Sequence, residues 1–295
     1  MIGVYDSGYG GLTVLGALRR ALPDADFIYL GDSGRAPYGG RDSEVILDFA
    51  EQSVACLFAA GCRVIIVACH TVSSVALRHL QRYFVHPDDP SRRILGVTIP
   101  AAELAVSASE GHIGFIATSR TVSSGTFSVE VQKLSHHRVT EYAAPLLASI
   151  VEEGWEDTPV ADEAVARYIA RFGDIDTLVL GCTHYPLLRR AFLAKLPSHI
   201  TLLDPASFVA ARLADWLARH PNFADELHGS GQLRMLCTGD PEVFSQHGTR
   251  FLGSSLPFVE YISERGGHLV FSEPPHPGSG QLVRLTGLEG TDFSD

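Results

Sequence analysis

The chain has 295 residues, of which 45% are hydrophobic and 19% charged, and its formal net charge is −11. This composition is typical of a globular protein with a large core, in one large domain or two ordinary ones. Because the Lys and Arg residues of this acidic chain form only short pairs, nothing supports binding to nucleic acid or to an anionic lipid surface.

The N-terminus, MIGVYDSGYGG, has no basic segment ahead of its first apolar run. No stretch of the sequence reaches the ~18 continuous apolar residues that a membrane span needs. We therefore expect a cytoplasmic protein. Five cysteines, an odd number in a long chain, favour reduced thiols over a disulfide framework; they are Cys56, Cys62, Cys69, Cys182 and Cys237.

Short apolar runs alternate with segments of helical periodicity, which predicts an α/β fold with largely parallel sheets buried on both faces. The predicted strands cover 2–5, 26–30, 64–68, 94–98, 112–117, 139–143, 177–181, 201–204, 233–237 and 257–261. The predicted helices cover 11–21, 43–60, 71–84, 123–134, 145–153, 161–172, 185–195, 207–219 and 241–252. From about residue 265 the chain is rich in Gly, Pro and Ser, and we expect irregular structure there.

The first strand ends in the glycine-rich stretch YDSGYGG. The dinucleotide-binding pattern G-x-G-x-x-G fails here, because Thr13 stands where the third glycine belongs. Asp6 and Ser7 precede a predicted helix N-terminus, which favours anions, so a plain turn and a ligand contact both remain open. The loop GDSGRAPYGG after the second strand is either a series of turns or a source of backbone N–H groups for a carboxylate.

Two later strands end alike, in VIIVACHTVSS and in TLVLGCTHYPL. Cys69 and Cys182 each follow an apolar run at a strand-to-helix junction, where a helix N-terminus can make a thiol reactive. Polar loops at the carboxyl ends of parallel strands are expected to line one site. The likeness of these stretches, and of RRILGVTIPA to HIGFIATSRT, is compatible with two similar halves that face each other.

Core packing, zinc binding, a disulfide and paired catalytic thiols can each explain these two cysteines. Zinc is disfavoured, because structural sites use close ligand pairs and the side chains of Cys69 and His70 would diverge along a strand. A disulfide between Cys69 and Cys182 would be labile in the cytosol. Paired thiols make chemical sense, since inverting a carbon that bears an acidic proton needs a base on one face and an acid on the other. Asp6 and His184 could assist if the two halves face each other.

Eight motifs together resemble glutamate racemase, of the aspartate/glutamate racemase superfamily. They are IGVYDSGYGGLTVL, YLGDSGRAPYGGRD, VACHTVSS, GVTIPA, IGFIATSRTVSSGTF, PLLASIVEEGW, DTLVLGCTHYPLL and TGDPEVF. They occur in the family's order and cover about residues 2–262. A full ordered set of this kind is far more specific than any one motif.

The resemblance implies two similar α/β domains related by pseudo-twofold symmetry, with the active site in the cleft between them. Residues 1–95 and 206–262 would form the first domain, 96–205 the second, and 263–295 an irregular tail. The implied activity is cofactor-independent racemisation of L- and D-glutamate, which supplies D-glutamate for peptidoglycan. The family also implies a homodimer, and neither metal nor cofactor.

The resemblance also assigns residues to roles. Cys69 and Cys182 look like the two proton donors and acceptors, Asp6 and His184 like their auxiliary groups, and Glu152 like a family carboxylate near the site. The implied substrate-binding residues are Asp6, Ser7, Tyr38, Gly39, His70, Thr71, Thr118, Thr121, Thr183 and His184.

His70 is a departure, because the family's usual triplet is Cys-Asn-Thr and here it is Cys69-His70-Thr71. Neutral imidazole offers one donor and one acceptor in a larger ring that can also become charged. His70 could therefore bond the substrate differently, shrink the pocket or add a cation beside Cys69. Glutamate racemisation, another superfamily activity such as racemisation of aspartate or a hydantoin, and a non-catalytic role on the same scaffold all remain open. The presence of both thiols argues against the last of these.

Overall fold

The computed structural model describes residues 1–86, 91–227 and 229–271. Eleven strands lie in these ranges: β1 (Ile2–Asp6), β2 (Phe27–Gly31), β3 (Val64–Val67), β4 (Arg93–Gly96), β5 (His112–Ala117), β6 (Arg138–Ala143), β7 (Thr177–Gly181), β8 (Thr201–Leu203), β9 (Leu233–Cys237), β10 (Val259–Arg265) and β11 (His268–Phe271). They form a seven-stranded sheet of order β11-β10-β9-β2-β1-β3-β4 and a four-stranded sheet of order β6-β5-β7-β8. All neighbouring strands are parallel except β10 and β11.

The described helices are α1 (Leu12–Ala21), α2 (Ser43–Ala59), α3 (His70–Val75), α4 (Leu77–Phe84), α5 (Thr98–Ala108), α6 (Ser119–Ser124), α7 (Thr126–Leu134), α8 (Pro145–Glu152), α9 (Pro159–Ile169), α10 (Arg189–Lys195), α11 (Ala206–Ala218), α12 (Pro221–Leu227) and α13 (Pro241–Leu252), with a 3-10 turn at Tyr185–Leu188. Helices thus alternate with parallel strands, and the predicted α/β class is confirmed. None of these helices is long and apolar enough to cross a membrane.

The two sheets repeat one topology. In the larger sheet the order β2-β1-β3-β4 places the first strand between the second and the third, and β6-β5-β7-β8 repeats this arrangement. The strands that precede Cys69 and Cys182, β3 and β7, are therefore equivalent, as their similar sequences predicted. The other sequence likeness has no structural counterpart, because RRILGVTIPA lies on β4 and HIGFIATSRT on β5, which hold different places in the two sheets. The true counterpart of IGVYDS on β1 is IGFIATS on β5.

The strands of the larger sheet come from residues 2–96 and 233–271, and those of the smaller sheet from 112–203. The chain therefore crosses between the sheets twice. β1, β2, β3 and β7 are fully buried, which accords with their near-continuous apolar sequences. The domain limits at 95/96 and 205/206 stay a prediction.

The structure differs from the predicted elements in several places. The helix predicted at 71–84 is interrupted at Ala76, and the one predicted at 123–134 is two helices that meet at Gly125. Helices α5 and α12 had no predicted counterpart. The prediction of irregular structure from 263 is wrong as far as 271, because β10 and β11 form a hairpin there. Residues 272–295, the rest of the predicted tail, lie outside the described residues.

The hairpin carried a sequence signal that the compositional argument overlooked. Arg265 pairs with His268 across a two-residue turn whose residues, Gly266 and Gly267, have φ of 60° and 81°. Two successive positive φ values are what a tight hairpin turn requires, and glycine adopts them without a steric penalty. The pair Gly-Gly between two short apolar runs therefore indicated a hairpin and not a disordered stretch.

Candidate active site

One pocket of about 280 Å³ lies where the carboxyl ends of the two sheets meet. The residues that follow β1, β3, β5 and β7 line it, two equivalent strands from each sheet. The loop after β2 and one face of α8 complete the wall. Of the predicted site residues, all but Asp6 and Thr121 line this pocket: Ser7, Tyr38, Gly39, Cys69, His70, Thr71, Thr118, Glu152, Cys182, Thr183 and His184.

Cys69 lies in an end of the pocket that is lined by uncharged side chains. It caps the N-terminus of α3, and its Sγ lies 3.4 Å from the Ser7 hydroxyl. Burial raises the pKa of the Cys69 thiol to about 12, and the negative charge of nearby Asp6 adds to this effect. Cys69 is therefore protonated at neutral pH.

Cys182 lies in a charged end of the same pocket. Its Sγ is 3.8 Å from Nδ1 of His184, whose Nε2 is 3.1 Å from Oε1 of Glu152. Burial alone would lower the pKa of His184, but its contacts with Cys182 and Glu152 outweigh that penalty and raise the pKa to about 10. The imidazole is therefore positively charged at neutral pH and connects a carboxylate to a thiol.

His70 is as deeply buried as His184, at 5% against 6% exposure, but among the described residues no charged group pairs with it. Its Nδ1 is buried without a hydrogen-bond partner, and the ring stands edge-on to Phe115 with centroids 6.4 Å apart. Burial lowers the pKa of His70 to about 4. The suggestion that His70 adds a cation beside Cys69 is therefore wrong at neutral pH, where the ring is uncharged.

Asp6 lies behind the pocket wall and is fully buried. Its Oδ1 accepts a hydrogen bond from the Gly8 N–H at 2.9 Å, and its Oδ2 accepts one from the Thr183 hydroxyl at 3.5 Å. Burial raises the pKa of Asp6, while the positive charge of His184 acts in the opposite direction. Asp6 thus connects the loop that carries Ser7 to the strand end that carries Cys182, without facing the pocket.

Three threonine hydroxyls form a buried cluster where the two sheets meet. Thr71 follows β3, while Thr118 and Thr121 follow β5, and the three Oγ1 atoms lie 2.8–3.2 Å from one another. Thr118 also caps α6 by accepting a hydrogen bond from the Thr121 N–H. Thr71 and Thr118 face the pocket, whereas Thr121 is fully buried and supports them from behind.

The loop after β2 contributes backbone more than side chains. The hydroxyl of Tyr38 donates to buried Asp32 and accepts a hydrogen bond from Tyr5, so it is directed into the core. Gly39 approaches the other sheet so closely that a Cβ there would lie 2.9 Å from that of Thr118. The Gly39 carbonyl also accepts a hydrogen bond from the Arg120 N–H at 2.9 Å. A side chain at position 39 would therefore force the two halves apart.

One wall of the pocket was missed by the sequence argument except for Glu152. Pro145, Ala148, Ser149 and Glu152 line the pocket from α8. Their spacing of i, i+3, i+4 and i+7 places them on one helix face. That spacing, with small residues ahead of a carboxylate, was a signal that could have found them. The pocket-lining cis peptide bond Ala36–Pro37 had no such signal beyond the PYGG stretch.

Neither a disulfide nor a metal-binding cluster accounts for Cys69 and Cys182. All five cysteines are buried and free. Within residues 1–86, 91–227 and 229–271, no three His, Cys, Asp or Glu side chains gather in a way that could hold a metal ion.

Known proteins resemble this chain in sequence and in structure. A family model described as Asp/Glu/Hydantoin racemase matches residues 16–213. The glutamate racemase of Roseobacter denitrificans is 37% identical over 273 residues, which cover 87% of this chain and 98% of the relative.

Solved structures with the same architecture include two glutamate racemases. Isoform RacE1 from Bacillus anthracis superposes with a TM-score of 0.81 at 32% identity, covering 89% of this chain and 97% of that one. The enzyme from Francisella tularensis, in complex with D-glutamate, superposes with a TM-score of 0.79 at 29% identity, with the same coverage.

Proposed function

The chain belongs to the Asp/Glu/hydantoin racemase family and, within it, to the glutamate racemases, which are isomerases; from this premise we propose that it interconverts L- and D-glutamate with Cys69 and Cys182 as the two proton carriers. The single observation that carries the proposal is that both thiols line one pocket of about 280 Å³. A substrate α-carbon between them would present one face to each sulfur.

In the proposed reaction one cysteine, as thiolate, removes the α-proton and becomes a thiol. The other cysteine, as thiol, gives its proton to the opposite face of the carbanion and becomes a thiolate. The product is the mirror-image amino acid, no atom is gained or lost, and the reverse reaction exchanges the two roles. No cofactor is required by this scheme, since each proton has a sulfur donor and acceptor.

The two thiols would be activated differently. The positively charged His184 lies beside the sulfur of Cys182, where negative charge develops when that thiol gives up its proton. Ser7, the Val72 N–H and a nearby carboxylate surround Cys69, and no cation stands beside it among the described residues, so burial and the carboxylate disfavour its thiolate. We propose that the ammonium group of the bound amino acid supplies the missing positive charge at this end.

The substrate's carboxylates would be held by neutral donors and one cation. Among the described residues that line the pocket there is no Lys or Arg. Hydroxyl groups of Ser7, Thr71, Thr118 and Thr183, backbone N–H groups and the His184 imidazolium remain as donors. These donors orient a carboxylate without the strong, fixed ion pair that an arginine would form.

A second candidate is racemisation of another amino acid, such as aspartate. The specific observation that favours it is the buried, unpartnered Nδ1 of His70 in the pocket wall, at the position where the substrate would be bound. Glutamate is the better supported substrate, because each of the relatives described above is a glutamate racemase.

The test is incubation of the pure protein with L-glutamate in D₂O, without pyridoxal phosphate or added metal. We expect D-glutamate that carries deuterium at the α-carbon. Circular dichroism measures the change of enantiomer, and proton NMR measures the exchange of the α-proton. Cys69→Ala and Cys182→Ala should each lower racemisation at least about a thousandfold, because each removes one obligatory proton carrier. Cys237→Ala is the matched control, since Cys237 is a buried thiol outside the pocket. Racemisation that survives in both pocket variants would disprove the two-thiol mechanism.

A role in the supply of D-glutamate for peptidoglycan, a cytoplasmic location and a homodimer remain predictions. A strain depleted of this protein should lose wall integrity and recover on added D-glutamate. Growth that is indifferent to both treatments would contradict the proposed role.

A further inference from the structure

Two consecutive residues of α13 contact the charged end of the pocket from outside. In the chain, helix α13 connects β9 to β10 of the seven-stranded sheet. Glu152 and His184 belong to the segment that forms the four-stranded sheet. The Phe251 ring stands edge-on to the His184 ring, with centroids 5.2 Å apart. Its neighbour Arg250 reaches the end of α8, where Glu152 is the last helical residue.

The Arg250 guanidinium makes a forked contact with two groups of the other half. Its Nη2 donates to the Val151 carbonyl at 2.7 Å and lies 2.6 Å from both carboxylate oxygens of Glu156. Its Nε donates to Glu156 at 3.2 Å. The Arg250 and Glu156 side chains are 31% and 17% exposed, so this ion pair is better shielded than those of the open surface. A planar fork of this kind fixes direction as well as distance.

The contact falls on the last turn of α8. Gly154 has φ of 77° and its N–H donates to the Val151 carbonyl at 3.0 Å, while the Trp155 N–H donates to the Ile150 carbonyl at 2.9 Å. These paired bonds and the left-handed glycine form the C-terminal motif that commonly ends helices. Arg250 adds a cation at this negative end of the helix and shares the Val151 carbonyl.

We propose that Arg250 is a positioning residue for the reaction: it fixes the last turn of α8, and so holds the Glu152 carboxylate against His184 and the His184 ring beside Cys182. Arg250 does not line the pocket and touches none of the reacting atoms. The inference rests on the proposed function only for its kinetic consequence. Its structural consequence, the distance between Glu152 and His184, can be measured without any turnover.

The first measurement is the titration midpoint of His184. It is determined by NMR in the wild type and in Arg250→Met. The titratable groups that face His184 are Glu152, Cys182 and Asp6. Loss of a positive charge at Arg250 would by itself raise the pKa of His184. If Arg250 holds Glu152 in place, its removal releases that carboxylate and the pKa falls. The sign therefore separates a lost position from a lost charge.

The second measurement is kinetic, with L- and D-glutamate that carry α-deuterium. We expect kcat of Arg250→Met to fall about tenfold, since small displacements of catalytic groups have effects of this size or larger. The isotope effect on kcat/KM should rise for the one enantiomer whose α-proton Cys182 removes. It should stay unchanged for the enantiomer whose α-proton Cys69 removes. Arg250→Lys keeps the positive charge but not the forked contact. Its kcat and isotope effects should lie between those of the wild type and those of Arg250→Met.

Arg190→Met is the matched control. Arg190 bonds Asp157 at 2.9 Å, one residue after Glu156 in the same loop, but both side chains are open to solvent at 56% and 79% exposure. Breaking this pair removes an arginine of α10 that bonds the same loop, without touching α8. This variant should keep the wild-type kcat, isotope effects and His184 midpoint.

The comparison of Arg250→Met with Arg190→Met decides whether Arg250 is a positioning residue. A fall in the His184 midpoint in Arg250→Met, absent in Arg190→Met, supports it; an unchanged or raised midpoint overturns it. A fall in kcat with both isotope effects unchanged also overturns it, because the loss is then not local to Cys182. If Arg250→Met does not fold, Arg250→Lys takes its place: it keeps the positive charge, so a fall in the His184 midpoint, with about a threefold fall in kcat, again reports a lost position. Absence of racemisation in the wild type defeats the proposed function alone, and the NMR arm still decides the role of Arg250.

Discussion

The two ends of the pocket are built on equivalent strands and carry the same residue types, but the histidine is neutral at one end and positively charged at the other. Cys69 and His70 follow β3, and Cys182 and His184 follow β7. Both histidines are almost fully buried, yet burial lowers the pKa of His70 to about 4, whereas contacts raise that of His184 to about 10. A buried imidazole is neutral or charged according to its partner.

The partner differs because the two histidines stand at different positions after their cysteines in two similar loops. His184, two residues after its cysteine, lies within hydrogen-bond reach of Glu152 from α8. His70, directly after its cysteine, meets the ring edge of Phe115 and has no described polar partner for its Nδ1. The pocket therefore has a charged histidine at one end and an uncharged one at the other, and four experiments test this contrast.

The largest effect is expected at His184. His184→Asn keeps a hydrogen-bonding side chain but cannot carry a positive charge, so kcat should fall about a thousandfold, within the range that proton-transfer groups contribute. Steady-state racemisation followed by circular dichroism measures it. His79→Asn, at a surface histidine that pairs with Glu51, is the control and should leave kcat unchanged. A fall of less than threefold in His184→Asn would remove the charged end from the mechanism.

The second effect concerns stability, and its sign is opposite for the two histidines. The raised pKa of His184 stabilises the fold fully below the unfolded value of 6.5, and this contribution is lost as the pH rises through about 10. The lowered pKa of His70 gives a contribution present above 6.5 and lost as the pH falls towards 4. At 1.36 kcal/mol per pKa unit, these contributions are at most about 5 kcal/mol for His184 and about 3 kcal/mol for His70.

Chemical denaturation at a series of pH values tests this contrast. His70→Asn should flatten the free energy of unfolding between pH 6.5 and 4, and His184→Asn should flatten it between 6.5 and 10. The wild type supplies the reference curve for both. If the two variants change the same limb, the assignment of opposite charge states is wrong.

The third effect, smaller in rate, comes from the carboxylate behind His184. Glu152→Gln keeps the shape of the side chain but removes its negative charge, so the pKa of His184 should fall. We expect kcat at neutral pH to fall about tenfold and the alkaline limb of the kcat profile to move to lower pH. Glu153→Gln, at the adjacent and more exposed carboxylate, is the control. An unshifted alkaline limb would mean that Glu152 does not set the charge of His184.

The smallest effect is expected at His70. Asn offers a donor and an acceptor, as neutral imidazole does, so His70→Asn should keep the rate on glutamate and the ratio of glutamate to aspartate within about threefold. Parallel assays on both amino acids decide this. A larger change in the ratio would make His70 a determinant of substrate choice and favour the second candidate function.

Much of this protein was determined by its sequence. Apolar runs of β-branched residues alternating with helical periodicity fixed an α/β fold, because burial on both faces of parallel strands leaves little choice of residue. The positions of Cys69 and Cys182 at strand ends already placed both at the carboxyl edge of a sheet. The Gly266–Gly267 turn and the spacing of Pro145, Ala148, Ser149 and Glu152 were also legible in the sequence, although compositional argument overlooked them.

The tertiary structure alone decided the charge states and the contacts between the two halves. Whether His70 or His184 carries a positive charge depends on side chains distant in sequence, because Phe115 lies beside His70 and Glu152 beside His184. The same holds for Arg250, whose role at the end of α8 follows from a contact 99 residues away along the chain. Electrostatic energies depend on distance and desolvation, and only the packed chain fixes these.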